Sequence, residues 1–241
     1  MSLQDDPYAA LVGMLRQMGH DMRVPLNTIL STADMLEQGM YDPLTPRQKK
    51  AVDRLQRNSQ RLLAMLDDFI TTIKANAGDL TLKQEPFDPR ALVEAAAEKV
   101  RPFAADKGLI LHASTGAGVP ARLLGDEKAL TRALLALLWN AAAYTAAGEV
   151  ALRADWTANA EWTVALRDTG RGITEEERPH LFEPFWRGEE RPQIPTACAG
   201  LGLPLARALC EAMGGRLMLE TTSAEGSTFR LYLPLSRAED A

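Results

Sequence analysis

The sequence predicts an α+β protein in two parts: a two-helix hairpin over residues 1–78 that dimerises into a four-helix bundle, then an α/β sandwich over 79–241. Three observations carry this. Apolar residues recur in steps of three and four from Leu11 to Ile73; the pattern breaks at Gly78; and beyond it short alternating runs interleave with longer helical ones.

In the first part, Leu11, Leu15, Met18, Met22, Pro25, Ile29 and Leu36 form a heptad seam interrupted only by Thr32. A turn-rich stretch follows Gly39. Thr45-Pro46-Arg47-Gln48 then supplies an N-cap Thr, a proline at the first helical position and a Gln that closes a capping box. Val52, Leu55, Leu62, Leu66, Phe69 and Ile73 keep the rhythm until Ala77-Gly78 ends the second helix. One hairpin cannot bury two faces, whereas two copies about a two-fold axis can, so a homodimer is expected.

In the second part, Leu80 and Leu82 alternate as in a short strand, and Phe87-Asp88-Pro89 caps a helix running to about Ala105. Strands are expected at Leu109 to Ala113, Glu149 to Trp156, Trp162 to Arg167, Arg216 to Thr222 and Ser227 to Leu235. Helices are expected from Glu127 to Tyr144 and from Leu201 to Met213. Helices on one face of a mixed sheet satisfy this order.

Composition narrows the function. A hydrophobic content of 46% is enough for buried cores. With 27 Lys and Arg against 32 Asp and Glu the net charge is −5, which argues against a nucleic-acid partner. The longest apolar run, Ala133 to Trp139, is far shorter than the roughly 18 residues of a membrane helix, so no membrane contact is expected within this chain. Met1 to Pro7 lack the order of a signal peptide, and Cys198 and Cys210 form no metal or redox motif. A cytoplasmic location with free thiols follows, whether the chain stands alone or is the cytoplasmic part of a longer, membrane-anchored protein.

His20 lies two positions from Met18 and two from Met22, at the outermost site of the heptad. By position alone it is a surface histidine. Asp21 beside it can hold one ring nitrogen and accept a proton while the other nitrogen attacks. Pro25, inside the helix, removes the hydrogen bond to the Asp21 carbonyl and favours a local bend. The run His20-Asp21-Met22-Arg23-Val24-Pro25-Leu26 resembles the H-box of sensor histidine kinases, except that Val24 stands where the family has Thr or Asn.

Further along, Asn140 and Tyr144 share a helix face; Asp168-Thr169-Gly170-Arg171-Gly172 follows a strand; Phe182 and Arg187 precede a loop; and Gly200-Leu201-Gly202-Leu203 opens a helix whose free N–H groups suit an anion. Gly226-Ser227-Thr228-Phe229 starts the last strand. Each piece alone is an ordinary turn or helix end. Together, in this order, they resemble the N, G1, F, G2 and G3 boxes of a Bergerat-type ATPase domain.

That resemblance, which spans Leu11 to Leu235, implies ATP and Mg²⁺ as cofactors, autophosphorylation of His20 with Asp21 as its base, and transfer to the aspartate of a response regulator receiver domain. It implies that Asn140 ligates magnesium, Asp168 recognises adenine, and Tyr144 lines the base pocket with Gly170, Gly172, Phe182 and Thr228 near it. Gly200 to Leu203 would meet the phosphates, and Arg187 would steady the γ-phosphate. Ala136, Ala143 and Ala197-Cys198-Ala199 depart from the family where Asn, a cation and a further Gly are common. Two other classes therefore stand beside an active kinase with weak phosphatase activity. One is a degenerate kinase acting as a phosphotransfer or docking scaffold. The other is an ATP-driven clamp, against which the His20 bundle argues.

Overall fold

The computed structural model describes residues 7–188 and 200–238, with side chains throughout except at 7–11 and 16. The chain divides into two compact units between Ala77 and Gly78.

The first unit is a hairpin of α1 (Pro7–Glu37) and α2 (Pro46–Asn76). The start of α2 is the expected capping box: the Gln48 backbone N–H donates to the Thr45 hydroxyl at 3.4 Å, and the Gln48 side-chain oxygen accepts from the Thr45 N–H at 2.9 Å. The face that α1 turns to α2 differs from the predicted seam by one residue. It carries Val12, Gly19 and Ala33, buried, with Leu26 half-buried between them, and meets Val52, Ser59 and Ile70 of α2. Two of these α1 residues are Gly and Ala, which give almost no hydrophobic signal yet let helices approach closely. The predicted seam residues Met18, Met22 and Ile29, with Leu55 and Leu62 of α2, remain between 43% and 52% exposed in the single chain.

The second unit runs β1 (Glu85–Phe87), α3 (Pro89–Asp106), β2 (Ile110–Thr115), β3 (Leu123–Gly125), α4 (Glu127–Tyr144), β4 (Glu149–Trp156), β5 (Trp162–Asp168), α5 (Gly202–Ala212), β6 (Arg216–Ser223) and β7 (Gly226–Leu233). The main sheet has the order β2-β4-β5-β7-β6, with β2 and β4 parallel and the other pairs antiparallel. Alternate residues of its central strands, such as Val150 and Leu152, Val164 and Leu166, Phe229 and Leu231, are buried in the core shared with α3, α4 and α5. The helices begin where capping chemistry places them. Asp88 accepts from the N–H groups of Arg90 and Ala91, and Asp126 from that of Ala129.

Leu80 and Leu82 do not form the expected strand; they pack half-buried against the core. The strand is Glu85–Phe87, paired with β3. The Lys83 N–H donates to the Asp126 carboxylate rather than to a ladder, so a side chain satisfies the backbone there.

Candidate functional site

In the second unit the C-terminal half of α4, the loop after β5, the start of α5 and the start of β7 line a cleft that is open to solvent. Asn140 and Tyr144, four residues apart on α4, both face it. Asp168, the last residue of β5, is 7% exposed at its floor, and one carboxylate oxygen accepts from the Gly170 N–H at 2.8 Å. Burial raises its pKa, while the backbone N–H groups of Gly170 and Ser227 pull it partly back. A buried carboxylate held by backbone donors at the floor of an apolar cleft is suited to accept from a fixed amino group. Gly172, at φ +73°, brings the loop against Ser223; an added Cβ would overlap the Ser223 carbonyl.

At the other end of the cleft, Gly200 has φ +74°, and its Cβ would overlap the Trp186 carbonyl. Gly202 and Leu203 then open α5, whose N-cap Leu201 offers no side-chain acceptor to the first turn. The N–H groups of the first turn of α5, beside exposed Arg187, suit an anion at this end.

The site residues expected from the sequence fall into three groups. Asn140, Tyr144, Asp168, Gly172, Arg187, Gly200, Gly202 and Leu203 converge on the cleft. Gly170 acts from behind, through its N–H on Asp168. Phe182, Leu201 and Thr228 do not line it. Phe182 packs half-buried beneath the Arg207 guanidinium, 4.9 Å from its ring centre, and its neighbour Leu181 faces the cleft instead. Leu201 is buried at 1% in the core. Thr228 points to the opposite side of the sheet because side chains alternate, so the cleft receives Ser227 and Phe229. That parity was readable from buried Phe229. Of the two alanine departures inside the described residues, Ala136 lines the cleft whereas Ala143 is buried away from it. Ala197-Cys198-Ala199 lie outside the described residues. Cys210 is a free thiol whose pKa burial pushes up to about 12.

A second cluster, which no local pattern announces, lies at the rim. The Arg171 guanidinium makes a two-pronged contact with Glu177, at 2.7 and 3.0 Å, and lies 5.7 Å from the Tyr144 ring centre. That guanidinium, first among the causes, lowers the Glu177 pKa. Nothing in a six-residue spacing across a loop foretells the pair.

In the first unit His20 is exposed on α1, and the Asp21 carboxylate accepts from the Gln17 amide at 2.9 Å one turn back. Three residues on, Arg23 donates to one oxygen of Asp67 at 2.7 and 2.9 Å, tying α1 to α2 beside the histidine. Val24 is 59% exposed and offers no hydrogen-bonding side chain.

The base end fits an adenine nucleotide, through Asp168 and Tyr144, and the α5 end fits its phosphates. The Asn140 side chain, which faces the cleft, carries an amide oxygen of the hard kind that a magnesium ion would accept beside ligands from phosphate and water.

Comparison with known proteins agrees in both units. Residues 10–78 match the His Kinase A (phospho-acceptor) domain, and residues 125–237 match the histidine kinase-, DNA gyrase B- and HSP90-like ATPase family. The sensor protein GacS of Pseudomonas syringae pv. syringae is 30% identical over 230 residues, covering 94% of this chain and 25% of that protein. The sensor protein TorS of Escherichia coli K12 is 30% identical over 223 residues, covering 92% and 24%. The chain thus spans about a quarter of the length of these curated relatives. Full-length ShkA in complex with AMPPNP superposes with a TM-score of 0.81 at 29% identity, over 94% of this chain and 46% of that one. The Acinetobacter baumannii histidine kinase AdeS shares the fold, with a TM-score of 0.62 at 23% identity over 89% and 96%.

Proposed function

The chain belongs to the sensor histidine kinases of two-component systems, and on that premise we propose that it binds ATP with Mg²⁺ in the α4–α5 cleft, phosphorylates its own His20 and passes the phosphoryl group to a receiver aspartate. The observation that carries this reading is the convergence of Asn140, Tyr144, Asp168, Gly200 and Gly202 on one cleft. One ring nitrogen of His20 attacks the γ-phosphorus, the bond to the β,γ-bridging oxygen breaks, and ADP leaves. The proton on the other ring nitrogen passes to Asp21, which Gln17 holds in place. Magnesium would neutralise phosphate charge with Asn140 as its protein ligand. The domains are then a dimerisation and phosphoacceptor unit, 1–78, and a catalytic unit, 79–241.

Two further features support the partners in this reading. The exposed apolar stripe of Met18, Met22, Ile29, Leu55 and Leu62 suits a second hairpin, giving a homodimeric four-helix bundle. On α2, exposed Arg47, Lys50, Arg54, Arg57 and Arg61 align at spacings of three and four, and no ion pair neutralises them among the described residues. An acidic receiver surface complements that stripe. The work is done on the cytoplasmic side, where thiols stay reduced.

Reverse flow of phosphate should be weak. Hydrolysis of the regulator's aspartyl phosphate needs a positioned water, and exposed Val24 cannot hold one. Following loss of aspartyl phosphate from a cognate receiver, wild type is expected to be slow and Val24→Thr faster; a fast wild type that Val24→Thr does not improve would refute this.

The phosphate end should contribute little to affinity, since Ala136 leaves α4 without an amide there. ADP is expected to bind about as well as a non-hydrolysable ATP analogue. Arg187→Ala should remove only the small margin of the analogue's affinity over ADP, less than the about tenfold that one full charge-assisted hydrogen bond is worth. Calorimetric titration of both nucleotides tests this, and an analogue bound a hundredfold tighter than ADP would contradict it.

A further inference from the structure

Lys107 ends α3 on the far side of α4 from the cleft, and its ammonium is fully used. Nζ donates to the carbonyls of Ala142 at 2.7 Å, Ala143 at 3.0 Å and Thr145 at 2.7 Å. An ammonium has three donors, and all three converge on the C-terminal end of one helix, where the last carbonyls have no partner within the helix and the dipole is negative. No carboxylate pairs with Lys107 among the described residues. The stem lies by Phe103, with Nζ 5.7 Å from its ring centre, and Phe103 in turn packs on Trp139 of α4.

These three carbonyls bracket Tyr144, the residue between them that faces the cleft. The Tyr144 carbonyl is the atom against which the loop after β5 is seated, for a Cβ at Gly170 would stand 2.7 Å from it, and Gly170 is the residue whose N–H holds Asp168. A shift of the last turn of α4 therefore moves the Tyr144 ring and the support of Asp168 together.

We infer that Lys107 is a positioning residue for nucleotide binding: by clamping the carbonyls of Ala142, Ala143 and Thr145 it sets Tyr144 and the Asp168–Gly170 turn for the base. This rests on the nucleotide reading of the cleft. Lys107 touches no substrate atom, so its effect is transmitted through α4.

The test uses the full chain with Lys107→Met, which keeps the stem on Phe103 but removes the charge. Lys107→Arg keeps the charge, and Val93→Ala, a buried site on the same α3, is a purely structural control. Amide hydrogen exchange over residues 140–147 is measured without nucleotide, and ADP affinity with magnesium by calorimetry. Lys107→Met should speed exchange in that segment and weaken ADP about tenfold or more, Lys107→Arg should recover most of both, and Val93→Ala should lower the melting temperature with ADP affinity unchanged. A Lys107→Met protein that binds ADP like wild type with unaltered local exchange would overturn the inference. If wild type itself binds no ADP while Lys107→Met still speeds exchange, the clamp stands, but the nucleotide reading of the cleft falls and the positioning role falls with it.

Discussion

Replacing His20 with alanine is expected to abolish incorporation of label from γ-labelled ATP, whereas wild type yields a base-stable, acid-labile phosphohistidine. The loss should be complete because His20 carries the exposed imidazole at this site on α1 and because hydroxyls nearby are already engaged within the helix: the Thr28 hydroxyl donates to the Val24 carbonyl at 3.0 Å and that of Thr32 to the Thr28 carbonyl at 2.8 Å. Exposure also means that the substitution leaves the hairpin core of Val12, Gly19, Ala33, Val52 and Ile70 intact, so dimer and fold should persist. Asp21→Asn separates the base from the nucleophile. It keeps an oxygen that can accept from Gln17 but cannot take the proton, and a general base is worth about 10²- to 10⁴-fold. Single-turnover labelling with all three proteins decides the matter. Equal labelling of wild type and His20→Ala would place the phosphoryl group elsewhere, and an unchanged rate in Asp21→Asn would remove that carboxylate from the chemistry.

Asp168→Ala is expected to weaken ADP and ATP alike by at least about a hundredfold. The base loses a charge-assisted acceptor, worth about 1.5 to 3 kcal/mol. The variant also leaves the Gly170 N–H, now held at 2.8 Å, without its buried partner, which costs about 1 to 3 kcal/mol and loosens the loop that forms the floor. A pH dependence accompanies this in wild type. Burial raises the Asp168 pKa, so affinity should be full well above that value and fall as the pH drops through it, beginning at a higher pH than for an ordinary aspartate. The contribution to stability without nucleotide has the opposite sign. The folded-state pKa lies above the unfolded one, so the stabilisation is present below the unfolded pKa and is lost as pH rises through the folded pKa. Titrations of ADP affinity and of melting temperature across mildly acidic pH should therefore diverge in wild type and flatten in Asp168→Asn. Parallel curves would show that Asp168 is not the group that recognises the base.

The sequence by itself determined the two-part organisation, the starts of α2, α3 and α4 and the alternation of the central strands, because caps, prolines and hydrophobic periodicity act over three or four neighbouring residues. It also placed Asn140, Tyr144 and Asp168 at element ends, where α4 and β5 then bring them to one cleft. What depends on facing partners was decided only by tertiary structure. The inner face of α1 uses Gly19 and Ala33, whose value lies in the closeness they allow and not in their own apolar surface. Core packing took Leu201 and Phe182 away from the cleft. The Arg23–Asp67 tie, the Arg171–Glu177 pair and the Lys107 clamp on α4 join residues 44, 6 and 35 to 38 positions apart. Such contacts leave no periodic trace in the chain, since a charge declares its sign locally but its partner only when the backbone between them has folded.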